Sequence, residues 1–124
     1  MAKDINIELP EDIVKSIGSH IEALLFASDE PIPAKSLSDI LSEYFSNGKG
    51  NEIDAKYFSP EYLVSIINAL NKKYYESNQS FHIIEIAGGY QFATLPKYAK
   101  CLGILFKEKS KRRLSQSALE TLAI

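Results

Sequence analysis

The chain has 124 residues, 45% of them apolar and 24% charged, with a net charge of −2. This is the composition of a soluble globular protein with room for one domain and part of another, and it contains no apolar run of the ~18–20 residues that a membrane span needs. The single cysteine, Cys101, excludes an internal disulfide, and the acidic start MAKDINIELP lacks the apolar core of a secretion signal, so a cytoplasmic protein is expected.

The first predicted helix covers about 11–28. Ile13, Ile17, Ile21, Leu24, Leu25 and Ser28 share one face, and Pro10 with Glu11 and Asp12 suits a helix start. Pro31-Ile32-Pro33 then ends the helix, and Ile32 is placed to form a short strand beside a later hairpin. A second helix over about 34–45 puts Leu37, Ile40, Leu41, Tyr44 and Phe45 inward. Ser46–Phe58, with Gly48 and Gly50, reads as a loop. Ser59-Pro60 opens a third helix as N-cap and first helical residue, with Leu63, Ile66, Ile67, Leu70 and Tyr74 as its apolar stripe.

Phe81–Pro96, FHIIEIAGGYQFATLP, reads as a β-hairpin turning at Gly88-Gly89. A two-residue turn there pairs Ala87 with Tyr90, Glu85 with Phe92 and Ile83 with Thr94. A fourth helix over about 97–107 is expected to pack through Tyr98, Cys101, Leu102, Leu105 and Phe106. Leu114–Ile124 begins a further helix whose stripe is Ala118, Leu119, Leu122 and Ala123. Such a short apolar helix is marginal alone, and the pattern is expected where a second domain follows. The fold class is therefore α+β and mostly helical: a winged helix-turn-helix with a three-helix core, a hairpin wing and a C-terminal helix. The predicted divisions are a winged-helix domain at 1–107, a basic linker at 108–113, and the first helix of a truncated second domain at 114–124.

Charge is distributed unevenly. Residues 1–80 hold seven Lys/Arg against thirteen Asp/Glu, whereas 81–124 hold seven against three. Five of the latter cations fall in Lys107–Arg113, KEKSKRR, and neither hairpin arm carries one. Nonspecific DNA affinity comes mainly from basic side chains on phosphates, so this wing is poorly suited to DNA. The outer face of helix three offers Glu61, Ser65, Asn68, Asn71, Lys72, Lys73 and Glu76. Its two lysines are offset by two glutamates, it lacks arginine, and only Asn68 and Asn71 have the chemistry to read adenine. A DNA-binding transcription regulator is the alternative reading; strong direct nucleic-acid binding is not expected.

No catalytic centre assembles from the sequence. His20, His82 and Cys101 are too few and too dispersed for a zinc site, and Gly88-Gly89 joins two strands instead of opening a helix around phosphate. Neither enzyme activity nor a cofactor or metal is expected. Seven tyrosines and six phenylalanines are a heavy aromatic load for this length. Tyr57, Phe58, Tyr62, Tyr75 and Tyr90 fall off the helical stripes, which makes them candidates for a protein interface or members of a crowded small core.

Four runs occur in order: IEALLFASDEPIP, IINALNKKYY, EIAGGYQFATLPKYA and RLSQSALETLAI. Together they resemble the N-terminal part of the segregation and condensation protein B family, of which AGGY-aromatic and LS-x-x-ALE-x-LAI strings are hallmarks. The resemblance covers most of residues 16–124 and departs at Ser46–Phe58, where this chain has an insertion. It implies two tandem winged-helix domains, of which this chain holds the first and the opening of the second. It also implies a non-enzymatic adaptor that forms a homodimer and binds the kleisin subunit, segregation and condensation protein A. Through the kleisin it would join the Smc ATPase in chromosome condensation and partition.

Overall fold

The computed structural model describes residues 9–47 and 54–122. In chain order they form α1 (Glu11–Ala27), α2 (Ala34–Asn47), α3 (Pro60–Glu76), β1 (Phe81–Ile86), β2 (Gly89–Thr94) and α4 (Ala99–Leu122). Short 3₁₀ turns occur at Ala55–Phe58 and Pro96–Tyr98. The expected loop at 46–58 is thus part helix end and part 3₁₀ turn, while its segment 48–53, with both glycines, lies outside the described residues. Two compact units result, Met1–Ala93 and Thr94–Ile124.

In the first unit the helix ends follow local chemistry. Pro10 caps α1 through its carbonyl, which accepts from the amides of Ile13 and Val14 at 3.1 and 3.0 Å. It therefore stands one position before the predicted first turn, with Glu11 and Asp12 at the positive end of the helix. The Ser59 hydroxyl caps α3 by accepting from the Tyr62 amide, with Pro60 as first helical residue.

Three stripes meet in the core: Ile17, Ile21 and Leu25 of α1, Leu37, Leu41 and Phe45 of α2, and Leu63, Ile66, Ile67, Leu70 and Tyr74 of α3. Ile83 of β1 closes one side. The predicted inner face of α2 is too wide. Leu37, Leu41 and Phe45, at successive intervals of four, take the core line, and Ile40 and Tyr44, each one residue earlier and so turned ~100° away, are exposed. Tyr44 instead packs at the rim on Phe45 and His20. His20 itself is tied through Nδ1 to the Ser16 carbonyl oxygen at 2.8 Å, a structural role.

The hairpin turns one residue earlier than predicted. Its central residues are Ala87 and Gly88, with φ of 52° and 80°. Positive φ at both positions is the geometry whose twist matches the flanking strands. Ile86 therefore faces Gly89 and Glu85 faces Tyr90, a two-residue shift from the predicted register. A shift of two leaves every side chain on its predicted face, since only odd slips exchange the faces. Gly89 has a different task from turning. A Cβ built on it would stand 2.8 Å from the Ile32 carbonyl carbon and 2.9 Å from the Ile32 nitrogen. That closeness allows Ile32 and Tyr90 to exchange two backbone hydrogen bonds of 2.9 and 2.8 Å as an antiparallel bridge. The short strand expected at Ile32 is this bridge.

The second unit contains the Pro96–Tyr98 turn and α4. Residues 108–113, predicted as a linker, are helical throughout, because they hold good helix formers and no glycine or proline. Cys101, Leu105 and Phe106, predicted to pack, are exposed along with Ile104; Tyr98 and Leu102 are partly covered. The described part of this unit has no second helix, so nothing within it covers that face. The side-chain pattern predicted for 114–124 lies outside the described residues. Among the described residues no helix is long and apolar enough to cross a membrane.

Candidate protein-interaction surfaces

The outer face of α3 differs from its predicted form at one decisive residue. Asn71 does not point freely outward: its Nδ2 donates to the Ile83 carbonyl at 2.9 Å, and its Oδ1 accepts from the Ile83 amide at 2.8 Å. The side-chain amide stands in for a neighbouring strand and pins β1 to α3. Both polar groups of the Asn71 amide are thus occupied, and of the two residues with the chemistry to read adenine Asn68 stays exposed, beside Lys72, Lys73, Glu61 and Glu76. The sequence carried no signal for this, because asparagine at that spacing looks like polar cover.

The five off-stripe aromatics part company in the structure. Phe58 is a core residue, 4% exposed and stacked on Phe45 with centroids 5.2 Å apart, so it is not available to a partner. It misses a helical stripe only because it lies in a 3₁₀ turn. Tyr57 and Tyr62 pack edge to face at 5.2 Å, half-buried, with Lys56 over the Tyr57 ring. Tyr90 is half-buried on β2; burial, then the Glu85 carboxylate across the hairpin, raises its phenol above the ordinary tyrosine range. Tyr75 alone is freely presented, 84% exposed on α3. Gly88 and Gly89 serve the turn and the bridge respectively.

A concave feature lies between α1 and the hairpin. Tyr74, Phe81 and Phe92 form its floor, with ring centroids 5.1 to 6.0 Å apart in tilted and edge-on contact, a favourable arrangement for aromatic rings. Glu22, Ala23 and Phe26 of α1 form its wall, and the groove encloses about 590 Å³. Phe26 is 86% exposed. It lies off the α1 stripe, the sequence signal that would have added it to the interface candidates. The Tyr74 hydroxyl donates to the Glu22 carboxylate at the groove's edge.

Burial first, then Glu22, raises the Tyr74 phenol well above its model-compound value of 10.0. A group held protonated by folding contributes stability that is present below its unfolded pKa and lost as pH rises through the folded one. Stability should therefore hold up to about pH 10 and fall above it. In Tyr74→Phe that alkaline loss should be smaller, as urea titrations at pH 8 to 11.5 would measure.

Among the described residues no three His, Cys, Asp or Glu side chains gather as a metal site. The surface chemistry is that of a domain with a winged-helix-type fold whose exposed residues include unpaired aromatic and aliphatic side chains. The sequence model described as "Segregation and condensation complex subunit ScpB" matches residues 19–124, and the chain belongs to that family. It is 34% identical over 104 residues to segregation and condensation protein B of Clostridioides difficile strain 630, covering 84% of this chain and 51% of that protein. The protein of the same description from Alkaliphilus oremlandii is 36% identical over 108 residues, with 87% and 50% covered. The chain thus spans about half the length of the curated relatives it matches.

Among solved structures, a conserved hypothetical protein from Chlorobium tepidum superposes with a TM-score of 0.63 at 31% identity, covering 93% of this chain and 63% of that one. A dimer of the ScpB N-terminal domain complexed with ScpA peptide superposes with a TM-score of 0.53 at 22% identity, over 74% of this chain and 96% of that domain. At that identity the likeness is one of fold.

Proposed function

We propose that this chain is the first winged-helix domain, followed by the start of a second, of a non-catalytic adaptor subunit in a bacterial Smc–kleisin complex. It forms a homodimer, binds the kleisin ScpA, and through ScpA joins Smc in chromosome condensation and segregation. In the cell it is cytoplasmic and reaches the nucleoid as part of that complex. The observation that carries this reading is the family match over residues 19–124. The cation-free hairpin and the occupied Asn71 amide support it, since the wing carries no cation for phosphates and α3 has one adenine-reading group fewer.

The test is co-purification of the 124-residue chain with ScpA of the same organism, with sedimentation of the chain alone at micromolar concentration. The expected results are a stable ScpA complex and a dimer. A strictly monomeric chain would remove the dimer, and failure to retain ScpA would remove the adaptor reading for this part of the protein.

A further inference from the structure

The basic run of α4 lacks the two roles that ordinarily account for such a run. It is not a flexible linker, since residues 108–113 are helical. Nor does it complement the helix dipole. Cations do so within the last turn, but α4 continues to Leu122 and has no basic residue in its last turn. Lys107, Lys109, Lys111, Arg112 and Arg113 therefore stand in mid-helix, all of them exposed. There they act against the helix, because Lys107–Lys111 and Lys109–Arg113 have the i, i+4 spacing at which like charges are destabilising. Glu108 does not relieve them. Among the described residues the ion pair formed is Lys35–Asp39 on α2, so Glu108 is joined to neither Lys111 nor Arg112. The whole second unit, 94–124, holds seven Lys/Arg against two Asp/Glu.

Helical geometry sorts these cations into two rows. At ~100° per residue, Lys107 and Lys111 fall ~40° apart on one flank, with Lys109 and Arg113 ~40° apart on the other, ~160° away. Lys100 continues the first row two turns earlier. Ser110 lies midway between the rows on one arc, and Glu108 and Arg112 share the opposite arc. A flat anionic surface can engage only one such row at a time. Two rows on opposite flanks match a ligand that presents anions on both sides of the helix. The major groove of B-DNA is such a ligand: it is ~12 Å wide between its phosphate walls, against ~10–12 Å for a helix with its side chains. A bilayer matches less well, because a helix lying in a membrane gathers its apolar residues on one face. Here the exposed Ile104, Leu105 and Phe106 are consecutive and point in three directions ~100° apart.

We propose that α4 is a contact site for the phosphate backbone of duplex DNA. The helix lies along the major groove with Lys107 and Lys111 on one phosphate row and Lys109 and Arg113 on the other. Ser110 faces the groove floor, and Glu108 turns to solvent. Because the partners are phosphates, the contact is independent of sequence and weak, with a Kd on the order of 10⁻⁵ M at low salt. It is a different activity from operator reading by the wing and α3, and it goes beyond the adaptor reading without depending on it.

The experiment measures fluorescence anisotropy of two labelled 20-bp DNA duplexes of unrelated sequence, titrated with the 124-residue chain at about 50 to 200 mM salt. The variants are Lys107→Gln with Lys111→Gln, Lys109→Gln with Arg113→Gln, and, as a control on α3, Lys72→Gln with Lys73→Gln. Glutamine has nearly the helix propensity of lysine and arginine, so α4 is retained while its charge is removed. Wild type should bind both duplexes alike, with a log–log salt slope of about −3.6 for four phosphate contacts. Each row variant should bind at least tenfold more weakly at about 50 mM salt, with the slope reduced in size by about 1.8, and the α3 variant should match wild type. No wild-type binding at that salt would overturn the proposal, as would an equal loss in the α3 variant. Loss confined to one row would overturn the groove geometry on which it stands. Cosedimentation with anionic phosphatidylserine vesicles, in a chain that leaves both duplexes unbound, would overturn it in favour of a membrane surface.

Discussion

Gly89→Ala should lower the stability of the domain by about 3 kcal/mol, and Ala87→Asn, two residues away, should raise it. The new Cβ at 89 would stand 2.8–2.9 Å from backbone atoms of Pro31 and Ile32, and backbone cannot step aside as a flexible side chain does. Overpacking of this kind costs roughly 1–3 kcal/mol, and forcing the segments apart weakens two backbone hydrogen bonds worth about 1 kcal/mol each. In a domain of this size that corresponds to a fall in Tm of roughly 15 °C. At Ala87 the argument runs the other way. Its φ of 52° is a left-handed conformation that an L-residue other than asparagine, aspartate or glycine adopts at a cost of about 1–2 kcal/mol. Asparagine should recover up to about 1 kcal/mol of that. Thermal melts of the two variants decide the matter, and an unchanged Tm in Gly89→Ala would contradict the close approach of Ile32.

Asn71→Ala should be destabilising by a similar amount, about 3 kcal/mol in urea unfolding. Alanine would leave both the amide and the carbonyl of Ile83, a buried residue, without their partners, at a cost of about 1–3 kcal/mol for each buried group left unmade. Asn71→Asp separates the two bonds. The carboxylate still accepts from the Ile83 amide, but it now faces the Ile83 carbonyl with no proton to donate. That variant should be at least as unstable at neutral pH and should recover in part below about pH 4, where a protonated carboxyl donates again. Asn68→Ala, three residues earlier and exposed, should change stability by less than about 0.5 kcal/mol. Equal effects at 68 and 71 would show that Asn71 is cover after all.

These two positions also mark where sequence reading succeeds and where it stops. The stripes of α1 and α3 were legible because periodicity reports which face is buried, and Ile17, Ile21, Ile66, Ile67 and Leu70 lie where their spacing puts them. Periodicity says less about how wide the covered face is, so Ile40 and Tyr44 were placed inside and lie outside. The Gly88-Gly89 pair announced a tight turn, yet two glycines in a row do not say which of them turns. The choice is made by Ile32, 57 residues earlier in the chain, whose backbone needs the space at 89. Asn71 was illegible for a related reason: its partner is a main-chain group, and main-chain groups leave no mark in a sequence. Of the candidate surfaces, Tyr75 was found by its misfit with the stripe. Phe26 carried the same misfit and marks the groove.

The two attachments of the hairpin have a consequence for its motion. An isolated two-stranded ribbon frays, and its amides exchange with solvent through local openings of low free energy. Here each strand is held on its outer edge, β1 by a side chain of α3 and β2 by the segment between α1 and α2. Releasing the ribbon therefore requires breaking contacts to the helical core at two places, and the central amides of Ile83 and Tyr90 should exchange only with the unfolding of the whole unit. A partner that lands on the floor formed by Phe81 and Phe92 would meet a surface already ordered, and would lose little of its binding energy to fixing that surface in place.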